Sequence, residues 1–325
     1  MIKEQAIIVG AGPCGLSCAI ELQNLGIDAL IIEKAAIVNT IYQFPTHQTF
    51  FSTSEKLEIG DIAFITPKQK PQRLDALAYY RSVADRKNLR IQSFTKVMDV
   101  QRNNTGFEVT TEYKNEKVIY QADYVIMATG YYDQSNALNV PGESLSNVTH
   151  YFEEGHPYQG QNVVVIGGKN SAIDASLELQ KAGAHVTVLY RGATYSKSIK
   201  PWILPLFDSL VQKGEIIMEF NANVSEITSK QVRYQVNGSE KVIDNDFVFA
   251  MTGYKPDLTL LDKIGIEINW DNGRPSYNRH TYETNIDHLY IAGVITAGFN
   301  NNKIFIENGK FHGKAIAEDI KSKQN

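Results

Sequence analysis

Residues 5–22 read Gln5-Ala6-Ile7-Ile8-Val9-Gly10-Ala11-Gly12-Pro13-Cys14-Gly15-Leu16-Ser17-Cys18-Ala19-Ile20-Glu21-Leu22. An apolar run too short for a helix leads into Gly-x-Gly-x-x-Gly. Helical periodicity then continues through Ala19, Leu22 and Leu25 until Gly26 stops it. This pattern predicts a strand, a tight turn and a helix whose N-terminus faces a pyrophosphate. Gly10 permits the turn, Gly12 admits the phosphates close to the backbone, and Gly15 lets the helix lie against the strand. A second strand from Asp28 to Ile32 ends in Glu33, where a carboxylate can accept from a ribose hydroxyl. The stretch is therefore read as a dinucleotide cradle.

The remaining composition narrows the class. At 325 residues the chain has room for about two domains. Its 43% hydrophobic and 21% charged content is that of a soluble globular protein. A net charge of −4 gives no footprint for nucleic acid, and no apolar stretch is long enough to span a bilayer. The first strand is expected to begin without a secretory signal before it. Cys14 and Cys18 lie one turn apart on one helix, with Cβ atoms expected about 5–6 Å apart, too far for a disulfide. The expectation is a cytoplasmic protein.

The same unit occurs twice. Asn162 to Ile166 is a buried strand followed by Gly167-Gly168-Lys169-Asn170-Ser171-Ala172, a helix from Ser171 to Lys181, Gly183 as its stop, and a strand from His185 to Tyr190. Each copy is followed by a strand that halts at Thr-Gly, Tyr124 to Gly130 in the first and Phe247 to Gly253 in the second. Two cradles call for two nucleotides. Where the first reads Glu33, the second reads Tyr190-Arg191, with Lys197 and Lys200 close behind. Arg191 suits a 2′-phosphate, which favours NADPH over NADH. Lys169 stands where a second glycine is expected, and its ammonium group can meet a phosphate.

Between the repeats, residues 34–70 form a long aromatic connection expected to fold over a ligand, with His47 in it as a candidate proton donor. A helix is predicted over Arg73 to Lys87 with Leu74 on its apolar face. An antiparallel insert follows around Val97–Val100, Phe107–Thr111 and Val118–Tyr120. The chain closes with a strand from Leu289 to Gly293 and a helix that should bury Phe311, Ala315, Ile316 and Ile320. His150 and His156 flank Glu153-Glu154 without metal-site spacing, so no metal is expected.

The whole chain resembles the two-dinucleotide flavoprotein reductases of the thioredoxin-reductase type. The resemblance rests on Gly10-Ala11-Gly12-Pro13-x-Gly15, Ala128-Thr129-Gly130, Gly167-Gly168-x-x-Ser171-Ala172, Arg191 and Ile291-Ala292-Gly293. It implies an α/β fold of two Rossmann-like dinucleotide-binding domains, with the FAD domain (1–132 and 255–325) interrupted by the NADPH domain (133–254). FAD would then contact Gly10, Gly12, Pro13, Cys14, Gly15, Glu33, Lys34, Thr129, Gly130 and Gly293. NADPH would contact Gly167, Lys169, Asn170, Ser171, Ala172 and Arg191. A homo-oligomer is implied as well.

Two departures matter. Thioredoxin reductases carry Cys-x-x-Cys in the NADPH domain, and residues 131–254 here hold no cysteine. The acid that follows the last glycine in that family is Val294 here. The finer resemblance is to bacillithiol disulfide reductases, through Gly-Pro-Cys-Gly, Thr49-Phe50-Phe51-Ser52-Thr53, Leu57-Glu58-Ile59-Gly60 and the lysine at 169. It implies NADPH-driven reduction of a low-molecular-weight disulfide through FAD. Cys14, in the first helical turn, is the candidate nucleophile because the helix N-terminus favours a thiolate. Cys18 reads as core. A ferredoxin or flavodoxin reductase, a flavin-dependent monooxygenase and a flavin-bound redox sensor are the competing readings.

Overall fold

The structure, a computed structural model, describes residues 1–300 and 302–324. Strand β1 (Ile2–Val9) is buried without interruption from Ala6 to Val9, as a parallel strand covered on both faces requires. Helix α1 (Pro13–Asn24) begins with proline at its first position, where the missing N–H costs nothing. It ends before Gly26, which takes a φ of +75°. Strand β2 (Ala29–Ile32) returns parallel to β1, in the register Ala6 to Ala29 through Val9 to Ile32.

Helix α2 (Arg73–Arg86) buries Ala76, Tyr79, Tyr80, Val83 and Ala84. Leu74 does not join them and is 67% exposed. Two residues before Ala76, it projects from the far side of the helix. β3 (Arg90–Gln92) pairs parallel with β2. The insert forms as β4 (Lys96–Asn103) and β5 (Gly106–Tyr113), antiparallel to each other. Its third strand is not separate. Val118–Tyr120 and Tyr124–Met127 belong to one strand, β6 (Glu116–Met127), antiparallel to β5 from Glu116 to Ala122 and parallel to β1 from Tyr120 to Met127.

The second repeat runs β7 (Asn162–Ile166), α3 (Asn170–Lys181), β8 (His185–Leu189), α4 (Leu204–Gln212) and β9 (Ile216–Glu219). A three-stranded antiparallel sheet of β10 (Ala222–Ile227), β11 (Gln231–Val236) and β12 (Ser239–Asp244) follows. β13 (Phe247–Ala250) then enters the parallel sheet beside β7. After it, β14 (Leu289–Ile291) pairs with the end of β6, and α5 (His312–Lys323) closes the chain. Phe311 lies just outside α5 and is 65% exposed, so it does not share the buried face of His312, Gly313, Ile316, Ala317 and Ile320.

The strand orders repeat as well as the sequence. The first sheet runs β3-β2-β1-β6 before its antiparallel edge, and the second runs β9-β8-β7-β13 before Val148–Thr149. Each has the Rossmann order, with its cradle at the point where the order reverses. The chain divides into two compact units, one of 1–42, 48–134 and 255–325, the other of 43–47 and 135–254. Residues 43–47, expected in the first domain, cluster with the second. Thr46 donates its N–H to the carbonyl of Glu153 at 2.9 Å.

In the first unit, α5 crosses α1 where Gly313 meets Cys18. A Cβ on Gly313 would stand 2.9 Å from both the backbone nitrogen and the Cα of Cys18. Gly313→Val should therefore push the helices apart and cost about 1–3 kcal/mol in urea unfolding. An unchanged midpoint would show that the crossing is loose.

Candidate functional site: two nucleotide cradles

The first cradle is shaped by backbone contact. Gly10 has a φ of +111°, and a Cβ there would lie 2.5 Å from the carbonyl oxygen of Ala128 at the end of β6. A Cβ on Gly15 would lie 2.0 Å from the Gly10 carbonyl oxygen, so only glycine lets α1 start this close to β1. Gly12 differs. A Cβ there would meet nothing within 4 Å, so its glycine keeps space open in front of the helix N-terminus.

Glu33 is buried at the end of β2. Its Oε2 accepts from the Ala11 N–H at 2.8 Å and its Oε1 from the Ala35 N–H at 2.9 Å. Burial raises its pKa, against the lowering effect of those two N–H groups. Each carboxylate oxygen keeps a second lone pair for a hydroxyl. Lys34 is held by Asp133 at 2.7 Å. Thr129 follows Ala128, and its Oγ1 is buried with no hydrogen-bond partner, a polar atom that a bound nucleotide would satisfy. Gly130, at a φ of +75°, has open space where a Cβ would be. An open glycine wall, a helix N-terminus, a buried acid and an unpartnered hydroxyl fit a dinucleotide.

Cys14 closes this cradle from one side. Its Sγ lies 3.1 Å from where Gly293 would carry a Cβ and 2.9 Å from the same point on Gly309. Ser52 donates its hydroxyl hydrogen bond to the carboxylate of Glu307, which sits two residues before Gly309. Burial pushes the Cys14 thiol up to about 12, and the Glu307 carboxylate adds to the rise. The thiolate expected from the helix N-terminus is thus corrected, because desolvation outweighs the dipole here. Cys18 is 0% exposed and its thiol is raised further, by burial first and Cys14 second. Both cysteines are free thiols.

Gly293 leads to a residue the sequence did not single out. Its N–H donates to Nδ1 of His312 at 3.1 Å, and His312 stacks on Tyr282 with centroids 4.1 Å apart. Glu307 was missed too, since it meets Ser52 across 255 residues with no motif to announce it. His47, expected beside the ligand under the 34–70 loop, belongs to the second unit instead, edge-on to Phe152 at 6.0 Å between ring centroids. Burial lowers its pKa, with Glu178 acting in the opposite sense.

The second cradle repeats the first in its contacts. Gly167 has a φ of +143°, and a Cβ there would lie 2.4 Å from the Met251 carbonyl oxygen at the end of β13. Ala172 replaces Gly15, with its Cβ 3.2 Å from the point where Gly167 would carry one. Tyr190 occupies the place of Glu33 and lies against Gly168, whose Cβ would fall 2.3 Å from its ring. Lys169, Ser171 and Arg191 are exposed. The side chain of Asn170 is engaged, with Nδ2 donating to the Ser198 carbonyl and Oδ1 accepting from the Lys200 N–H, both at 2.9 Å. The strand approach at Gly167 and the exposed cations of this cradle also fit a dinucleotide.

Two Rossmann sheets, each with its own cradle, define a fold suited to two nucleotides. The profile of the pyridine nucleotide-disulphide oxidoreductase family matches residues 7–293, and the chain belongs to that family. It is 58% identical over 327 residues to bacilliredoxin reductase Bdr of Bacillus subtilis (strain 168), covering 100% of both chains. Bacillithiol disulfide reductase Bdr from Bacillus cereus superposes with a TM-score of 0.97 at 58% identity, over 99% of each chain. The Staphylococcus aureus protein of the same name gives 0.96 at 56% identity, over 100% of each. The chain is a disulfide oxidoreductase of the class that uses flavin and nicotinamide cofactors. No helix among the described residues is long and apolar enough to cross a membrane.

The Gly293–His312 contact has a measurable pH signature. Burial lowers the His312 imidazole from 6.5 to about 4, so between these values the unfolded chain binds the proton and the folded chain does not. This contribution is intact above 6.5 and is lost as pH falls toward 4, on the order of 3 kcal/mol in all. His312→Phe should show a shallower fall of the denaturant midpoint across that window than the parent protein. Equal slopes would mean that His312 is not held neutral.

Proposed function

We propose that the chain uses NADPH, through FAD, to reduce the disulfide of a low-molecular-weight thiol, and that this disulfide is bacillithiol disulfide. The observation that carries the reading is the contrast between two cradles of one design. One presents a buried acid, Glu33, and an unpartnered hydroxyl, Thr129. The other presents Tyr190 in the acid's place, followed by exposed Arg191. The first suits FAD, with Gly10, Gly12, Pro13, Gly15, Glu33, Thr129, Gly130 and Gly293 around it. The second suits NADPH, with Gly167, Lys169, Ser171, Ala172 and Arg191 at its mouth. When bound, FAD supplies the two electrons, drawn from NADPH, that a disulfide takes up on becoming two thiols. A cytoplasmic, self-associating protein accords with this reading.

In this proposal Cys14 opens the disulfide. Of the two cysteines it is the one that is not fully buried as a residue, and it borders the first cradle. Deprotonated, it attacks one sulfur of the substrate. The substrate S–S bond breaks, a mixed disulfide forms, and the departing thiolate takes a proton; the two electrons that bound FAD supplies would then split the mixed disulfide into the second thiol and free Cys14. Burial works against the first deprotonation, so the thiolate fraction should limit the rate near neutral pH.

Three measurements test the reading. Gly12→Val should give folded but colourless protein, since the fold leaves room for a Cβ at that position. Retention of stoichiometric flavin would place the flavin elsewhere. Arg191→Ala should raise the KM for NADPH about tenfold or more, through loss of a charge-assisted contact, and leave NADH little affected. Equal weakening of both nucleotides would make Arg191 structural. Finally, Cys14→Ala should keep flavin and its reduction by NADPH yet lose most disulfide turnover. Turnover by the parent protein should climb about tenfold per pH unit from about pH 7 to about pH 9, following the thiolate. Wild-type turnover by Cys14→Ala would assign the transfer to the flavin alone. Oxidised bacilliredoxin, assayed beside bacillithiol disulfide, separates a protein substrate from a small one.

A further inference from the structure

We propose that Asn170 is a positioning residue for nucleotide specificity: its side-chain amide pins the segment Ser196–Lys200 beside the second cradle and so sets where the cations of that segment stand for a 2′-phosphate. The inference rests on the NADPH reading of that cradle. Asn170 is the first residue of α3, immediately after the cradle turn. Its Nδ2 donates to the carbonyl of Ser198 and its Oδ1 accepts from the N–H of Lys200, each at 2.9 Å. The two partners fix the orientation of the amide, because a carbonyl only accepts and a backbone N–H only donates. Neither an aspartate nor a serine supplies both bonds across that span.

The pinned segment is built to be held. Ile199, between the two bonded residues, is buried in the core of the second unit. The Ser196 and Ser198 hydroxyls are 2.9 Å apart, and the Ile199 N–H donates to the Ser196 carbonyl at 3.1 Å. With Ile199 and Asn170 as anchors, the exposed Lys197 has a fixed base. The charge pattern points to an anion. Residues 191–203 contain Arg191, Lys197 and Lys200 and no acid, in a chain whose net charge is −4. Lys169, exposed, directly precedes Asn170. Asn170 thus joins the lysine of the cradle turn to the basic segment after β8. Both polar atoms of its side chain serve that segment, so it acts on the nucleotide through the cations it places.

The test uses flavin-loaded protein and the variants Asn170→Ala, Asn170→Asp and Arg191→Ala. Calorimetry on the oxidised proteins reports binding of adenosine 2′,5′-bisphosphate and of 5′-AMP, and steady-state assays give KM and kcat for NADPH and NADH. Asn170→Ala should weaken the 2′,5′-bisphosphate about tenfold relative to 5′-AMP, the effect of losing two hydrogen bonds that hold the cations in place. The KM for NADPH should rise by a similar factor relative to that for NADH. Trypsin should cut after Lys197 faster than in the parent protein. Asn170→Asp, which keeps the acceptor for Lys200 and loses the donor to Ser198, should fall between. Equal weakening of both probes, or faster cleavage with unchanged binding, would overturn the inference while leaving the NADPH reading intact. Loss of selectivity for Arg191→Ala as well as Asn170→Ala supports both. An Arg191→Ala variant that weakens the 2′,5′-bisphosphate and 5′-AMP equally would instead overturn the NADPH reading on which the inference rests.

Discussion

The structure depends on one close approach made twice: a glycine at the end of a first strand, set against a carbonyl oxygen at the end of a neighbouring strand. In the first unit a Cβ on Gly10 would reach within 2.5 Å of the Ala128 carbonyl, and in the second a Cβ on Gly167 would reach within 2.4 Å of the Met251 carbonyl. Both glycines take positive φ, which other residues adopt only under strain. The approach brings two strand ends together at the point where strand order reverses, and it aims the following helix at the gap between them. The nucleotide sites follow from that geometry. What differs between the copies is the chemistry at the rim, an acid in one and cations in the other.

Cys14 illustrates how position and environment compete. A helix N-terminus stabilises an anion by about 0.3–1 kcal/mol, and about 2 kcal/mol in favourable sites. The rise of the Cys14 thiol from 9.0 to about 12 corresponds to an opposing effect on the order of 4 kcal/mol. Burial under Gly293 and Gly309 therefore decides the protonation state, and Glu307 reinforces it. Any exchange chemistry at this sulfur must begin from the thiol.

Features encoded locally were legible in the sequence, and those made by distant contacts were not. Both cradles, their helices and their strands follow from glycine spacing and apolar runs. β6 was read as two strands because its pattern changes at Asp123, with alternating burial before it and continuous burial after it. The change marks a change of neighbours, from the antiparallel edge to the parallel sheet interior. β12 escaped notice because it is almost wholly exposed and polar, and β10 carries little apolar alternation. Leu74 and Phe311 fit a helical count yet lie off the buried faces. The placement of His47 rests on a neighbouring backbone bond from Thr46 to Glu153, which no side-chain pattern can announce. The surroundings of Cys14, Gly293 and Gly309 against its sulfur and the Glu307 charge held by Ser52, are brought together only by the fold. Asn170 was legible as a cradle residue, but not as the tether of Ser196–Lys200.

The central claim is that electrons enter at the Arg191 cradle and leave on a small disulfide beside the Glu33 cradle. Its most direct test is an anaerobic titration of the purified yellow protein, first with NADPH and then with bacillithiol disulfide, following flavin absorbance. The account predicts that about one equivalent of NADPH bleaches the flavin and that the disulfide restores the colour with release of two thiols. A flavin that NADPH bleaches, that stays bleached in excess disulfide and that regains colour only with ferredoxin or air would contradict it.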